Sequence, residues 1–281
     1  MTVAIVTDSG SDLTPELLAA NNIVQVPLSV SFGEDVYLSP DEITPEEFWR
    51  RAQEPGSPFA KTAAPSVGLF AKAFERAFAE GAEGVVCVCL SDGLSSTFKH
   101  AQMAKELMPD KGIYLVDSRS ASMACGALAL RGARMAAAGQ ATPDIGSALT
   151  RMREGVDLYV GLDTLDALRK GGRISNVKAA MGGLLAVKPI ITVEEGVVVL
   201  ADQPRTRSKC QARVVEMLTD RALRELHVLY SPPADPIAFR DLLLANLPEP
   251  APELVTIQLI GPVIGAHIGP GAYGGIMVRD V

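Results

Sequence analysis

The chain has 281 residues, of which 48% are hydrophobic, 21% charged and 5% aromatic, and its net charge is −7. That balance describes a globular protein with an aliphatic core, long enough for two domains. It excludes a nucleic-acid backbone as partner, which needs a basic stripe to release counterions, and no run approaches the ~18 apolar residues of a membrane span.

Val3 to Thr7 is a branched apolar run with no basic region before it, so it predicts a buried strand and not a signal peptide. The expectation is a cytoplasmic protein with no stable membrane insertion. Asp8-Ser9-Gly10-Ser11-Asp12 is the polar turn at the carboxyl end of that strand. Thr14-Pro15-Glu16, Thr44-Pro45-Glu46-Glu47 and Thr142-Pro143-Asp144 repeat one device, with Thr as N-cap, Pro at the first helical position and acid in the first turn. Ile23 to Val30 predicts the second strand, with a short partner over Val36 to Leu38. Glu54 to Ser66 holds three prolines and a glycine, which predicts a loop with Lys61 and Thr62 in its middle and Ser66 capping the next helix. Leu69, Phe70, Ala73, Phe74, Ala77 and Phe78 have helical spacing, and Gly81 closes that helix. Strand Gly84 to Leu90, helix Thr97 to Met108, strand Gly112 to Asp117 and helix Ala121 to Ala138 follow, and this alternation implies βαβ units with a parallel sheet.

The composition changes after about Glu154. Tyr159 to Leu162 predicts a short strand and Thr164 to Lys170 a short helix broken by Gly171-Gly172. Lys188 to Val193 and Val197 to Ala201 predict a hairpin, which a purely parallel sheet would not contain. Helix Thr206 to Ala222, strand Leu226 to Tyr230, helix Asp235 to Asn246, strand Glu253 to Ile260 and strand Gly275 to Val281 complete a mixed-sheet second half. Between the last two strands, Gly261 to Gly274 packs five glycines and two prolines around His267, which predicts a shaped loop. Cys87, Cys89, Cys125 and Cys210 lack paired C-x-x-C spacing and are expected as reduced core residues, with no metal site.

Open α/β sheets bind ligands at the carboxyl ends of their strands, which singles out Asp8 to Ser11 and Ser91 to Thr97. In the second stretch three hydroxyls cluster at a helix start, where free amides and the helix dipole favour a carboxylate or phosphate; the plainer reading is a serine cap. Arg173 sits just past Gly171-Gly172, in geometry suited to an anion or to a helix carboxyl end, and Arg205, Arg207 and Lys209 place cations where the dipole opposes them. No phosphate-binding loop, dinucleotide fingerprint or H-E-x-x-H is present.

Thr7-Asp8-Ser9-Gly10-Ser11-Asp12-Leu13, Lys61-Thr62 with Pro65-Ser66, Leu94-Ser95-Ser96-Thr97, Val116-Asp117-Ser118, Asp163-Thr164-Leu165 through Gly171-Gly172-Arg173-Ile174, Lys188-Pro189-Ile190, Arg205-Thr206-Arg207 and Gly265-Ala266-His267-Ile268-Gly269-Pro270-Gly271 stand in this order. Together, and over essentially the whole chain, they resemble the DegV family, bacterial fatty-acid-binding proteins that include the lipid-carrying subunit of fatty acid kinase. The resemblance implies an α/β fold of two domains, a three-layer parallel-sheet domain over 1–155 and a two-layer mixed-sheet domain over 156–281. It implies a long-chain fatty acid buried in an apolar cavity, its carboxylate held by Thr62 and Ser95. Arg173, Arg205 and His267 are then expected at the head group or at the surface met by the ATP-binding kinase subunit, which performs any phosphoryl transfer. No catalytic residue and no cofactor is expected in this chain. Where the family's usual pattern reads Leu-Ser-Gly-Thr, the chain carries Ser96. An aliphatic core suits such a ligand, since at ~0.8 kcal/mol per buried CH₂ a C16 tail contributes about 10 kcal/mol before ordering costs. The alternative is a serine esterase with Ser95 as nucleophile and His267 as base, against which stands the missing second glycine of a G-x-S-x-G elbow.

Overall fold

The structure, a computed structural model, describes residues 2–175, 177, 187–220 and 223–279. In chain order the elements are β1 (Val3–Asp8), α1 (Pro15–Ala20), β2 (Ile23–Val26), β3 (Leu28–Phe32), β4 (Asp35–Ser39), α2 (Pro45–Ala52), β5 (Ala60–Ala63), α3 (Val67–Ala79), β6 (Gly84–Cys89), α4 (Thr97–Glu106), β7 (Ile113–Asp117), α5 (Met123–Ala137) and α6 (Thr142–Met152). They continue with β8 (Val156–Gly161), α7 (Asp166–Lys170), β9 (Ile190–Glu194), β10 (Val197–Asp202), α8 (Arg207–Leu218), β11 (Glu225–Tyr230), α9 (Pro236–Leu244), β12 (Leu254–Leu259), α10 (Pro262–Ile268) and β13 (Tyr273–Val278).

The fold is α/β, with a parallel sheet among helices and a separate mixed sheet. The parallel sheet has the order β2-β1-β6-β7. From β1 the chain crosses to β2 on one side and later returns to β6 on the other, so a crevice opens between the carboxyl ends of β1 and β6, where such sheets take ligands. The mixed sheet has the order β10-β9-β8-β13-β11-β12, with β11 and β12 parallel and the other pairs antiparallel. Its two faces follow from the period of two along a strand. Tyr159, Val228 and Met277 turn one way, against Val214 and Leu218 of α8 and Phe239 of α9. Leu158, Val160, Ile191, Leu229 and Ile276 turn the other way and join the apolar cluster that contains Ile5, Phe48 and Leu128 of the first half. One continuous core therefore crosses from the first half of the chain to the second.

Several expectations need correction. Ile23 to Val30 is not one strand: Pro27 separates β2 in the parallel sheet from β3 in a three-stranded antiparallel sheet of order β4-β3-β5. Proline donates no amide, so the ladder ends there and the chain changes sheet. Lys61 and Thr62 are not in a loop; they lie on β5, paired with Ser31 and Val30 of β3. Gly261 to Gly274 is not wholly a loop either. Pro262 presets a helical φ, and α10 runs from it to Ile268 before Gly269, at φ 76°, ends it. Thr14, Thr44 and Ser66 cap their helices, but α6 begins one residue earlier than expected, with Ala141 and not Thr142 as its N-cap. Ala222 and Val281 lie outside the described residues, but α8 ends earlier than expected, at Leu218 with Thr219 as its C-cap, and β13 ends at Val278. All four cysteines are buried and free.

Candidate functional site

A cavity lies between the crevice of the parallel sheet and the inner face of the mixed sheet. Among the described residues, fifteen of its twenty liners are aliphatic and none is Phe, Tyr or Trp, with Leu158, Val160, Ile191, Val193 and Leu229 from the mixed sheet facing Leu28, Leu90 and Ala121 of the first half. The cavity is small, about 80 Å³, and so a narrow slot. The five polar liners are Thr62, Ser95, Ser122, Arg173 and His267.

Each of these is placed by a recognisable local device. Thr62 stands on β5, at the edge of its sheet, and its Oγ1 lies 2.9 Å from Nε2 of His267. Ser95 is in the loop after β6, where its Oγ lies 2.8 Å from Oγ1 of Thr97 and accepts the Thr97 amide at 3.3 Å. Ser96 is the N-cap of α4 but makes no side-chain capping bond, and its φ of −71° is one that any residue adopts. Arg173 follows a Schellman turn: Gly172, at φ 75°, donates to Arg169 O and Arg173 N to Leu168 O. The guanidinium then donates from Nε and Nη2 to Leu94 O at 3.1 and 3.0 Å and from Nη1 to Gly171 O at 2.7 Å. Among the described residues, two of its five N–H groups have no partner and could serve a ligand beside Ser95.

His267 ends α10. Its pKa is pushed down from 6.5 to about 4, by burial and then by the nearby Arg173 charge, so the imidazole is neutral at pH 7. Nδ1 is buried with no hydrogen-bond partner among the described residues. Gly171 makes room for the ring, because a Cβ there would collide with Nδ1; its glycine serves this approach, whereas the positive φ belongs to Gly172. In the tautomer that carries its proton on Nε2, His267 donates to Thr62 Oγ1 and leaves the threonine hydroxyl to donate onward into the cavity; in the other tautomer Nε2 accepts from that hydroxyl.

Thr62, Ser95, Arg173 and His267 thus converge on one end of the slot. Arg205 does not; it is exposed and lines no part of the cavity. Its neighbour Arg207 is held by Asp163 at 3.0 Å and lies over the Tyr273 ring, which explains a cation at that helix start. The esterase alternative lacks its central contact, since His267 bonds Thr62 and not Ser95. Sequence reasoning missed Ser122 and the aliphatic wall. Alternate residues of the strands give the wall, but which face turns inward depends on which sheet is opposite.

Behind the wall lie two carboxyls, Asp8 and Asp12, both pushed up to about 7, chiefly by burial. Asp8 accepts amides from Gly10 and Leu90, both at 2.8 Å, and so ties the carboxyl ends of β1 and β6 together. No helix among the described residues is long and apolar enough to cross a membrane, and no group of three or more His, Cys, Asp or Glu among them is arranged to hold a metal.

A family profile described as an uncharacterised protein of the DegV family matches residues 2–280. A DegV domain-containing protein of Mycobacterium tuberculosis is 38% identical over 286 residues, covering 98% of this chain and 96% of its own. Among solved structures, a DegV family protein from Thermus thermophilus described as binding fatty acid superposes with a TM-score of 0.91 at 31% identity, with 100% of both chains covered. DegV of Bacillus subtilis, described as a fatty acid binding protein, superposes with a TM-score of 0.89 at 30% identity over 99% of this chain and 98% of that one.

Proposed function

The chain belongs to the DegV family, and from that premise we propose that it binds a long-chain fatty acid in the cytoplasm and presents the carboxyl group to a separate kinase subunit for acyl-phosphate formation. The observation that carries this reading is the aliphatic slot whose lining also holds Thr62, Ser95, Arg173 and His267. An acyl tail needs a dry wall without directional contacts, and a carboxylate needs a few donors at one end. Thr62 Oγ1, Ser95 Oγ and the spare N–H groups of Arg173 are such donors, and a neutral His267 orients the threonine hydroxyl without taking the carboxylate's proton. The fatty acids bound by the solved relatives support the choice of ligand. ATP binding and phosphoryl transfer belong to the partner, and Arg205 is free to face it.

Two measurements on one preparation test this. Mass spectrometry of an organic extract of the native protein should show stoichiometric fatty acid, and an empty protein that takes up no added palmitate would sink the proposal. With a fatty acid kinase subunit and ATP added, His267→Ala should keep its ligand to within a few-fold but lose most acyl-phosphate formation. Hydrolysis of acyl esters at a rate abolished by Ser95→Ala would make the protein an esterase instead.

A further inference from the structure

Asp12 touches two walls of the cavity from behind. It ends the turn after β1 with φ 52° and ψ 22°, and it is 6% exposed. Its Oδ2 accepts from Ser122 Oγ at 2.6 Å, and its Oδ1 accepts from the amide of Gly261 at 3.2 Å. Ser122 lines the cavity just ahead of α5 and holds φ 57°, ψ −149°, a region almost reserved for glycine. Gly261 is the N-cap of α10 with the ordinary extended values φ −72°, ψ 170°, so its backbone does not call for glycine; the carboxylate does, because a Cβ there would collide with Asp12 Oδ1. Both contacts of Asp12 thus require an unusual residue or conformation on the other side.

We propose that Asp12 is a positioning residue of the head-group site: its carboxylate clamps the N-cap amide of α10 to the start of α5, and α10 in turn carries His267 to Thr62. The helix is 7 residues long, about 10 Å at 1.5 Å per residue, so a shift at its first turn reaches His267 undamped. A carboxylate at this amide also meets the positive end of the helix dipole. The other anchors of α10 hold carbonyls: Trp49 Nε1 donates to Ile260 O at 2.7 Å and Ser231 Oγ to Gly269 O at 3.0 Å. Asp12 holds an N–H, and it alone of these three also reaches a residue of the cavity wall on α5's approach. The inference rests on the reading of Thr62 and His267 as the head-group end.

The test uses the whole chain with ¹⁵N-labelled histidine and compares Asp12→Asn with Asp12→Gly, since both residues accept a positive φ and the pair isolates the side chain. In ligand-free protein, Asp12→Gly should move the His267 titration, followed by its imidazole ¹⁵N shifts, by about one pH unit or more toward the ordinary value. It should also weaken palmitate binding about tenfold. Asp12→Asn keeps an acceptor for Gly261 and a partner for Ser122, and should restore both readouts. An unmoved His267 titration in folded Asp12→Gly overturns the proposal, and so does an Asn variant as impaired as the Gly variant. If Asp12→Gly fails to fold, Ser122→Gly takes its place, removing the hydroxyl while supplying the residue its backbone favours; a shift of the same sign supports the clamp and none overturns it. Because the titration is read without ligand, a wild-type protein that binds no palmitate sinks the fatty-acid reading while the clamp is still judged on His267.

Discussion

Along the wall of the cavity, Leu158, Val160, Ile191, Val193 and Leu229 come from three strands of one sheet, whereas at its polar end Thr62, Ser95, Arg173 and His267 come from four separate segments. The wall is a by-product of strand periodicity: any branched residue on the inner face serves, and neighbours compensate for one another. The polar end has no such redundancy. Each side chain arrives by its own device, an edge strand, a strand-end loop, a Schellman turn and a seven-residue helix; Thr62 bonds His267, while Arg173 is held by Leu94 O and Gly171 O and Ser95 by Thr97. If the slot takes a fatty acid as proposed, the wall supplies the bulk of the binding energy and the polar end the orientation, so insults to the two should differ in size and in kind.

The largest effect is expected at the wall. Val193 is a partly buried liner on β9 at the margin of the core, and Val193→Trp would fill the slot. Excluding half of a C16 tail forfeits about 5 kcal/mol at ~0.8 kcal/mol per CH₂, more than a thousandfold in affinity. The purified variant should carry no fatty acid by mass spectrometry yet melt within a few degrees of wild type. A full complement of ligand would mean that the tail lies elsewhere.

At the polar end the expected losses are smaller. Thr62→Ala and Ser95→Ala each remove one donor to a charged group, about 1.5 to 3 kcal/mol, or roughly tenfold to a hundredfold in the dissociation constant. Titration with palmitate measures both. Affinities equal to wild type in both variants would remove this end of the slot from head-group binding and leave the wall as the whole of the site.

The same contrast separates what the amino-acid sequence makes legible from what it hides. Helix starts at Thr14, Thr44 and Ser66 and the ends at Gly81 and Gly139 are legible because a cap is local chemistry, and the hairpin around Glu195-Gly196 is legible for the same reason. Thr62, Ser95, Arg173 and His267 can be nominated from ordered motifs, but nothing local says that Thr62 meets His267 across 205 positions of sequence. Proline and glycine mislead in opposite ways. The prolines between Glu54 and Ser66 hide β5, a short edge strand whose pairing comes from β3, and the glycines of 261–274 hide α10. Of those glycines, Gly261 and Gly265 are there for close approach, the first to Asp12 and the second to Phe48 and Trp49, which is a tertiary reason no spacing rule expresses.

Acid and alkali should separate the groups at the polar end from those behind the wall. His267 binds its proton more weakly in the folded protein, at about 4 against 6.5, so its contribution to stability is lost as pH falls from about 6.5 toward 4. Asp8 and Asp12 have the opposite sign. Their folded values of about 7 lie above the ordinary 3.8, so their contribution is full below about 4 and is lost as pH rises through 7. Melting temperature against pH should therefore fall on both flanks. His267→Gln should flatten the acid flank and Asp12→Asn the alkaline one, by a few degrees each. An alkaline flank unchanged by Asp12→Asn would mean that this carboxyl does not titrate there.

The smallest effect is expected where the chain departs from its family's usual pattern. Ser96 takes the place of a glycine beside the head-group loop, and a Cβ pointing into the slot would displace the carboxylate. It does not point there. Ser96 is exposed, lies outside the lining of the slot, and borders instead a shallow outer depression together with Ser95, Gly172 and Arg173. Its φ of −71° and ψ of 4° need no glycine, and its hydroxyl caps nothing. Ser96→Gly should therefore leave palmitate affinity within about twofold and lower stability by only a few tenths of a kcal/mol, the usual difference between Ser and Gly at a helix start. The measurement is the ratio of palmitate dissociation constants for Ser96→Gly and Ser95→Ala at one pH. A Gly variant that binds tenfold tighter would show that the serine intrudes on the head group, and would move the polar end of the slot outward, toward the depression that Ser96 borders.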